Sequence, residues 1–420
     1  MSLLVTVFIL LSFLFQTAFS QKSTTPNPVL TQQLDSIFRK NELVGMSVLV
    51  IKNNQIVYES YLGKADINRG IKVSQQTQYR VASLSKVVTA VAVMQLVEQG
   101  LLGLDDDINT HFDYSIRNPS FPNKPITIRA LLSHTSTIAD WAVWESFARL
   151  TFGTYPTPSF KILFDSINNK QYSREVFITK EPAKYFAYCN ISYAILASLV
   201  EKMSKKRFDM YCREHIFKPL GMQASFNAYE LPNINNLAVL YRKYGGKWIP
   251  QTDNYGGVKP VQKNYANYKL GTNALLFGPQ GNLRASALDL YKLAMMLMNA
   301  GEFEKKQILK ANTVKMMQET AWIYDGTNAD GRELALQAWG LGLQITTDKE
   351  GIDRVFPNTK MYGHAGEAYG LISDMYFDTE KKNGLIFITN GSGIPFKTKY
   401  KAKFFEVEKA VFNAIYETLF

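Results

Sequence analysis

Cysteine is almost missing from this chain: 420 residues contain only Cys189 and Cys212. Two thiols cannot staple a disulfide-rich scaffold, so the fold has to come from a hydrophobic core. They fall in segments that read as a helix start and a helix interior, where free thiols are expected. Histidine is scarce too. The four histidines do not cluster and no H-E-x-x-H run occurs, so neither a metal nor a cofactor is expected. No G-x-S-x-G elbow is present, which argues against an α/β-hydrolase. No nucleic-acid-binding motif or low-complexity tract occurs either, although the formal charge is +11. The basic residues are spread along the chain and densest at Lys397, Lys399, Lys401 and Lys403, the pattern of solvated surface lysines rather than of a nucleic-acid partner.

With 46% of its residues hydrophobic, the chain can bury a sizeable core in one large domain or two interleaved ones. Residues 1–20 stand apart. Leu3 to Phe15 is almost wholly apolar, and Ala18-Phe19-Ser20 is a small-x-small site before Gln21. That is the layout of a cleaved signal peptide, and the run is short for a membrane span. No Lys or Arg precedes it and no Cys stands at the cleavage point. The expectation is an exported protein, periplasmic or secreted, which meets a membrane only through its export signal; an uncleaved anchor is the alternative reading of the same run. The sequence does not specify an oligomeric state.

Val29 to Arg39 has a helical apolar stripe. Gly45 to Ile51 and Gln55 to Tyr61 read as a hairpin across Lys52-Asn53-Asn54. Val87 to Val97, closed by Gly100, reads as a buried helix, followed by a turn at Leu104-Asp105-Asp106-Asp107. From His111 to Phe277 loops predominate, with a clear helix at Ile191 to Lys202; another covers Ala285 to Asn299. Strand patterns return at Trp339 to Thr346, Tyr369 to Phe377 and Leu385 to Thr389, and a helix covers Ala402 to Leu419. This order implies a sheet built from both ends of the chain (21–112 and 278–420) around an inserted, mainly helical region (113–277).

Ser83 is the one serine followed by lysine three residues later. If Ser83 starts the helix that runs through Val87, Lys86 lies one turn on and on the same face. A serine hydroxyl needs a nearby base, which a desolvated amine can provide, and a helix N-terminus favours a developing oxyanion. Two further elements complete a pattern. Tyr188-Cys189-Asn190 stands immediately before a helix, where a phenol near cationic or polar donors can hold a lowered pKa and act as a base; Asn190 could also serve as an N-cap. His364-Ala365-Gly366 is the only His-x-Gly and stands between strand-like segments. Tyr265-Ala266-Asn267 has similar spelling to the second element but reads as loop.

The three elements in this order resemble the serine β-lactamase superfamily, nearest to the branch of class C β-lactamases, D-alanyl-D-alanine carboxypeptidases, D-aminopeptidases and related esterases. Leu131-Leu132-Ser133-His134-Thr135-Ser136 is similar to another segment of that family, with Thr137 where the family has glycine. Gly278-Pro279-Gln280-Gly281-Asn282-Leu283 and Trp339-Gly340-Leu341-Gly342 also look familiar. The resemblance covers about residues 35–395. It implies an α+β fold, an antiparallel sheet flanked by helices, and two-step acyl transfer to a small-molecule or peptide substrate. In that scheme Ser83 is the nucleophile and Lys86 and Tyr188 move the proton. Asn190, His364 and Gly366 bind substrate, and the backbone N–H groups of Ser83 and Glu367 form the oxyanion hole. His134 is structural. Class C β-lactamases have Lys-Thr-Gly in place of His-Ala-Gly, so ester or D-amino peptide hydrolysis ranks above a true β-lactamase. A penicillin-binding or envelope-sensing module without turnover is the alternative of a different class. Glu367 would favour cationic substrates if its side chain faced the cleft; facing solvent is the plainer expectation.

Overall fold

The computed structural model describes residues 27–140, 142–154, 156–165, 175–329, 335–393 and 403–420. The apolar leader with its cleavage site, Lys397, Lys399 and Lys401, and the expected start of the last helix at Ala402 lie outside the described residues.

Helix α1 (Pro28–Lys40) starts at Asn27, whose side chain accepts the Leu30 N–H, with Pro28 at a position that has no N–H to satisfy. Strands β1 (Gly45–Lys52) and β2 (Gln55–Asp66) form the expected hairpin, with Asn53 and Asn54 both in the left-handed region that a tight hairpin turn requires. β3 is Ile71–Lys72. The remaining sheet strands come from the other end of the chain: β4 (Trp322–Ile323), β5 (Ala338–Trp339), β6 (Gln344–Ile345), β7 (Tyr362–Ala368), β8 (Leu371–Phe377) and β9 (Gly384–Thr389). The sheet order is β4-β5-β6-β7-β8-β9-β1-β2-β3. Each neighbouring pair is antiparallel, and β1 joins the two halves by pairing with β9 from Met46 opposite Thr389 to Ile51 opposite Gly384.

β1, β8 and β9 are buried on both faces, which is why β1 and β9 read as almost continuous apolar runs, while β8 carries Ser373 and Asp374 inside. Alternate side chains enter two cores. Val48, Val50, Ile372 and Phe387 pack with α1 and with helix α5 (Glu406–Leu419) through Leu34, Val411 and Ile415. Leu49, Ile51, Met375 and Ile388 pack on the opposite side with α2 (Ser85–Glu98), α3 (Asn190–Ser204) and α4 (Ala287–Met298). Twelve of the fourteen residues of α2 are buried, as its all-round apolar sequence demands.

Two strand expectations need correction. Trp339 to Thr346 is not one strand: Gly340-Leu341-Gly342 turns the chain from β5 into β6. Gly342 has φ 78°, and a Cβ there would come within 2.2 Å of the Ala90 Cβ on α2, so only glycine allows the turn to rest on that helix. His364-Ala365-Gly366 does not stand between strands but lies inside β7. Tyr369 and Gly370, both at positive φ, make the turn into β8, which therefore begins at Leu371.

Candidate active site

Ser83 lies in a 3-10 turn (Ala82–Leu84) just ahead of α2, not on α2 itself as its position in the sequence suggested. Ala82 has φ 47°, an unfavourable value for a residue with a Cβ. Its surroundings hold it there. The Ser85 hydroxyl donates to the Ala82 carbonyl at 2.6 Å and accepts the Leu283 N–H at 3.0 Å. From β8, the Ser373 hydroxyl donates to the Val81 carbonyl at 3.0 Å, tying the turn to the sheet.

Lys86 remains one turn beyond Ser83 and is wholly buried. Its Nζ donates to Asn190 Oδ1 at 2.8 Å and to the Gln280 carbonyl at 2.9 Å, and stands 3.2 Å from Ser83 Oγ. Burial lowers its pKa to about 7, against the opposing pull of Asp140. A neutral amine has two hydrogens. The two shorter bonds use both, leaving the lone pair to face the Ser83 hydroxyl.

Tyr188 packs beside them, its ring 4.8 Å below Lys86 Nζ and stacked on His134 with centroids 4.3 Å apart. Its hydroxyl shares a hydrogen bond with Ser83. The lowered phenol pKa expected from the sequence does not hold: burial raises it well above the ordinary tyrosine value, and the Ser83 bond only partly offsets this. Tyr188 is therefore a neutral phenol, and of the two groups Lys86 is the one with an accessible lone pair near neutral pH.

Asn190 is the first residue of α3. Its capping role falls to Cys189, whose Sγ accepts the Ser192 N–H at 3.3 Å, so the Asn190 amide is left to reach Lys86. Cys189 and Cys212 are buried free thiols, as expected. Tyr265 is packed in a loop against Arg207 and Phe277.

β7 forms the opposite wall. β6 pairs with its Tyr362 and Gly363, and among the described residues no strand continues that edge from His364 onward. Gly366 lies against the Ser83 turn: a Cβ there would stand 2.5 Å from Ser373 Oγ and 2.6 Å from the Val81 carbonyl oxygen. His364 is buried, with Nδ1 2.5 Å from the Ala365 carbonyl. Burial, then the charge of Lys86, lowers its pKa well below the usual histidine value, so its imidazole is neutral. Glu367 is exposed on the face of Ala365, and its charge is felt by Glu408 of α5 and by Lys403 just ahead of that helix rather than by Lys86.

Sequence reasoning missed four contributors. Asp140 accepts the Asn190 N–H at 2.6 Å. Gln280 acts through its backbone carbonyl. Tyr193 lies 5.6 Å from Lys86 Nζ, and Trp339 meets His134 and His364 edge-on at 5.0 and 5.3 Å. His134 is buried, neutral and accepts the Cys189 N–H on Nδ1 at 3.1 Å. Thr137, where the resemblance leads one to expect glycine, keeps a left-handed φ of 63° and accepts from Asn118 Nδ2 at 2.9 Å.

Comparison with known proteins bears on this arrangement. Protein flp of Staphylococcus aureus (strain MW2) is 28% identical over 196 residues, 46% of this chain and 37% of flp. D-alanyl-D-alanine-carboxypeptidase/endopeptidase AmpH of Escherichia coli (strain K12) is 27% identical over 195 residues, 46% of this chain and 48% of AmpH. The match thus spans half or less of these curated relatives. The octameric penicillin-binding protein homologue from Pyrococcus abyssi superposes with a TM-score of 0.66 over 87% of this chain and 74% of that one, at 24% identity, and so shares the fold. The family model described as Beta-lactamase matches residues 30–404. On that match the chain belongs to the β-lactamase family, a family of serine hydrolases built on this fold.

Proposed function

We propose that the protein is an exported serine hydrolase that cleaves an ester or D-amino peptide bond through an acyl-enzyme. The observation that carries this reading is the buried amine of Lys86, 3.2 Å from Ser83 Oγ and with a pKa near 7. Lys86 takes the Ser83 proton as Oγ bonds to the substrate carbonyl carbon. The Ser83 and Glu367 N–H groups receive the oxyanion as β7 aligns the substrate along its open edge. Tyr188, a phenol bonded to Ser83, passes its proton to the departing oxygen or nitrogen and is reprotonated from Lys86. Water then enters by the reverse route, breaking the Ser83 ester. Asn190 and His364 hold the substrate on either side.

A neutral His364 offers no fixed positive charge to a substrate carboxylate, which favours esters and amides that lack one over penicillins, which carry one. The peptide arm of the reading rests instead on the peptidase name of AmpH. Export rests on residues 1–20; among the described residues no helix is long and apolar enough to cross a membrane. The test is a common panel of an activated ester, a D-alanyl-D-alanine peptide and a β-lactam. Expected is a kcat/KM for the ester or the peptide above that for the β-lactam. The reverse order would make this a β-lactamase, and an adduct without turnover would make it a binding module.

A further inference from the structure

Asp140 is a carboxylate, 7% exposed, that the steps above leave unused. Besides the Asn190 backbone N–H at 2.6 Å, it takes the Ile191 N–H and the Asn190 side-chain amide. The backbone donors belong to the first turn of α3, where unpaired N–H groups and the helix dipole hold an anion. The side-chain contact decides more. An amide has one donating and one accepting end. With Nδ2 held by Asp140, Oδ1 is left to accept from Lys86 at 2.8 Å. A flipped amide would set its N–H donors against those of Lys86 and its carbonyl against a carboxylate.

We propose that Asp140 is a positioning residue for acyl transfer: it locks the Asn190 amide toward Lys86 and sets a carboxylate beside that amine. This rests on the roles given to Ser83 and Lys86 under Proposed function. The titratable groups around Lys86 are Asp140, Cys189, Tyr188, Tyr193, His134 and His364. Burial keeps the thiol and both phenols protonated and both imidazoles neutral. Asp140 is the one carboxylate of this set, and it opposes the loss of the Lys86 proton that burial promotes. Burial raises its own pKa on balance, with the Asn190 donors, the Lys86 cation and the Ile191 N–H offsetting part of that rise.

The experiment measures the rate of Ser83 labelling by a fluorophosphonate from pH 5 to 9 in the wild type, Asp140→Asn and Asp140→Glu, with thermal unfolding of each. Asparagine keeps the shape and can still accept the Asn190 N–H. Removing the negative charge favours the neutral amine, so the acid limb should move down by ~1 pH unit. The maximal rate should fall ~10-fold as the amide loses its lock. Asp140→Glu should return the limb toward its wild-type position. A folded Asp140→Asn protein whose limb coincides with that of the wild type, or lies above it, overturns the proposal. If Asp140→Asn does not unfold cooperatively, Asp140→Ser, which also removes the charge and retains an acceptor, takes its place with the same criteria. Absence of a Ser83 adduct in the wild type would remove the proposed function and this inference together; an unmoved limb in labelled protein removes only this one.

Discussion

Replacing Lys86 by methionine should stabilise the protein at pH 6 while stopping its chemistry, and the sign and size of the effect should depend on pH. Lysine has a pKa of 10.5 in the unfolded chain and about 7 in this core. At roughly 1.4 kcal/mol per unit, holding the charged amine in the folded state costs about 5 kcal/mol. Below pH 7 both states bind the proton and the whole cost falls on the folded protein. Between pH 7 and 10.5 the unfolded chain binds a proton that the folded one lacks, so this contribution makes wild-type stability rise with pH. Methionine fills similar space without charge, but leaves Asn190 Oδ1 and the Gln280 carbonyl without this donor, at ~1–2 kcal/mol each. The net gain should be about 2 kcal/mol at pH 6 and turn into a loss of about 1 kcal/mol at pH 9. Urea unfolding of both proteins at the two pH values measures it, because groups that do not feel Lys86 cancel in the difference. A difference unchanged within a few tenths of a kcal/mol between pH 6 and 9 would refute a lysine titrating near neutrality in the core.

Tyr188→Phe should lower kcat by ~100-fold or more with little change in KM, since it removes the hydroxyl bonded to Ser83 while keeping the ring stacked on His134; steady-state kinetics on an activated ester would show it. Gly366→Ala should cost about 1–3 kcal/mol, read by urea unfolding, and slow Ser83 labelling, because the added Cβ would displace β7 from Ser373 Oγ and the Val81 carbonyl.

Much of this architecture was legible in the sequence, for identifiable reasons. α2 has to be buried because its sequence is apolar on every side, and the β1–β2 turn is announced by Asn53-Asn54. β7 was harder: its run Tyr-Gly-His-Ala-Gly-Glu-Ala has neither β-branched residues nor apolar alternation, so it is pairing along β8, and with β6 at its start, that makes it a strand. Trp339 to Thr346 misleads in the opposite direction, because the need for Gly342 to approach Ala90 is visible only in space. At the site, the family resemblance pointed to Ser83, Lys86, Tyr188, Asn190, His364 and Gly366, and the structure brings these residues together. The resemblance could not supply the state of Tyr188, which is set by desolvation. Gln280 acts through its backbone and leaves no side-chain signal. Asp140 stands among apolar residues at Ile138-Ala139-Asp140, the one local sign that a carboxylate is held inside.

The most direct test of the central claim is intact-mass spectrometry of the protein after treatment with a fluorophosphonate, beside a Ser83→Ala control. A single adduct that maps to Ser83 and is absent from the variant is the expected result. An unlabelled wild type, or equal labelling of the Ser83→Ala protein, would contradict an activated serine at this position.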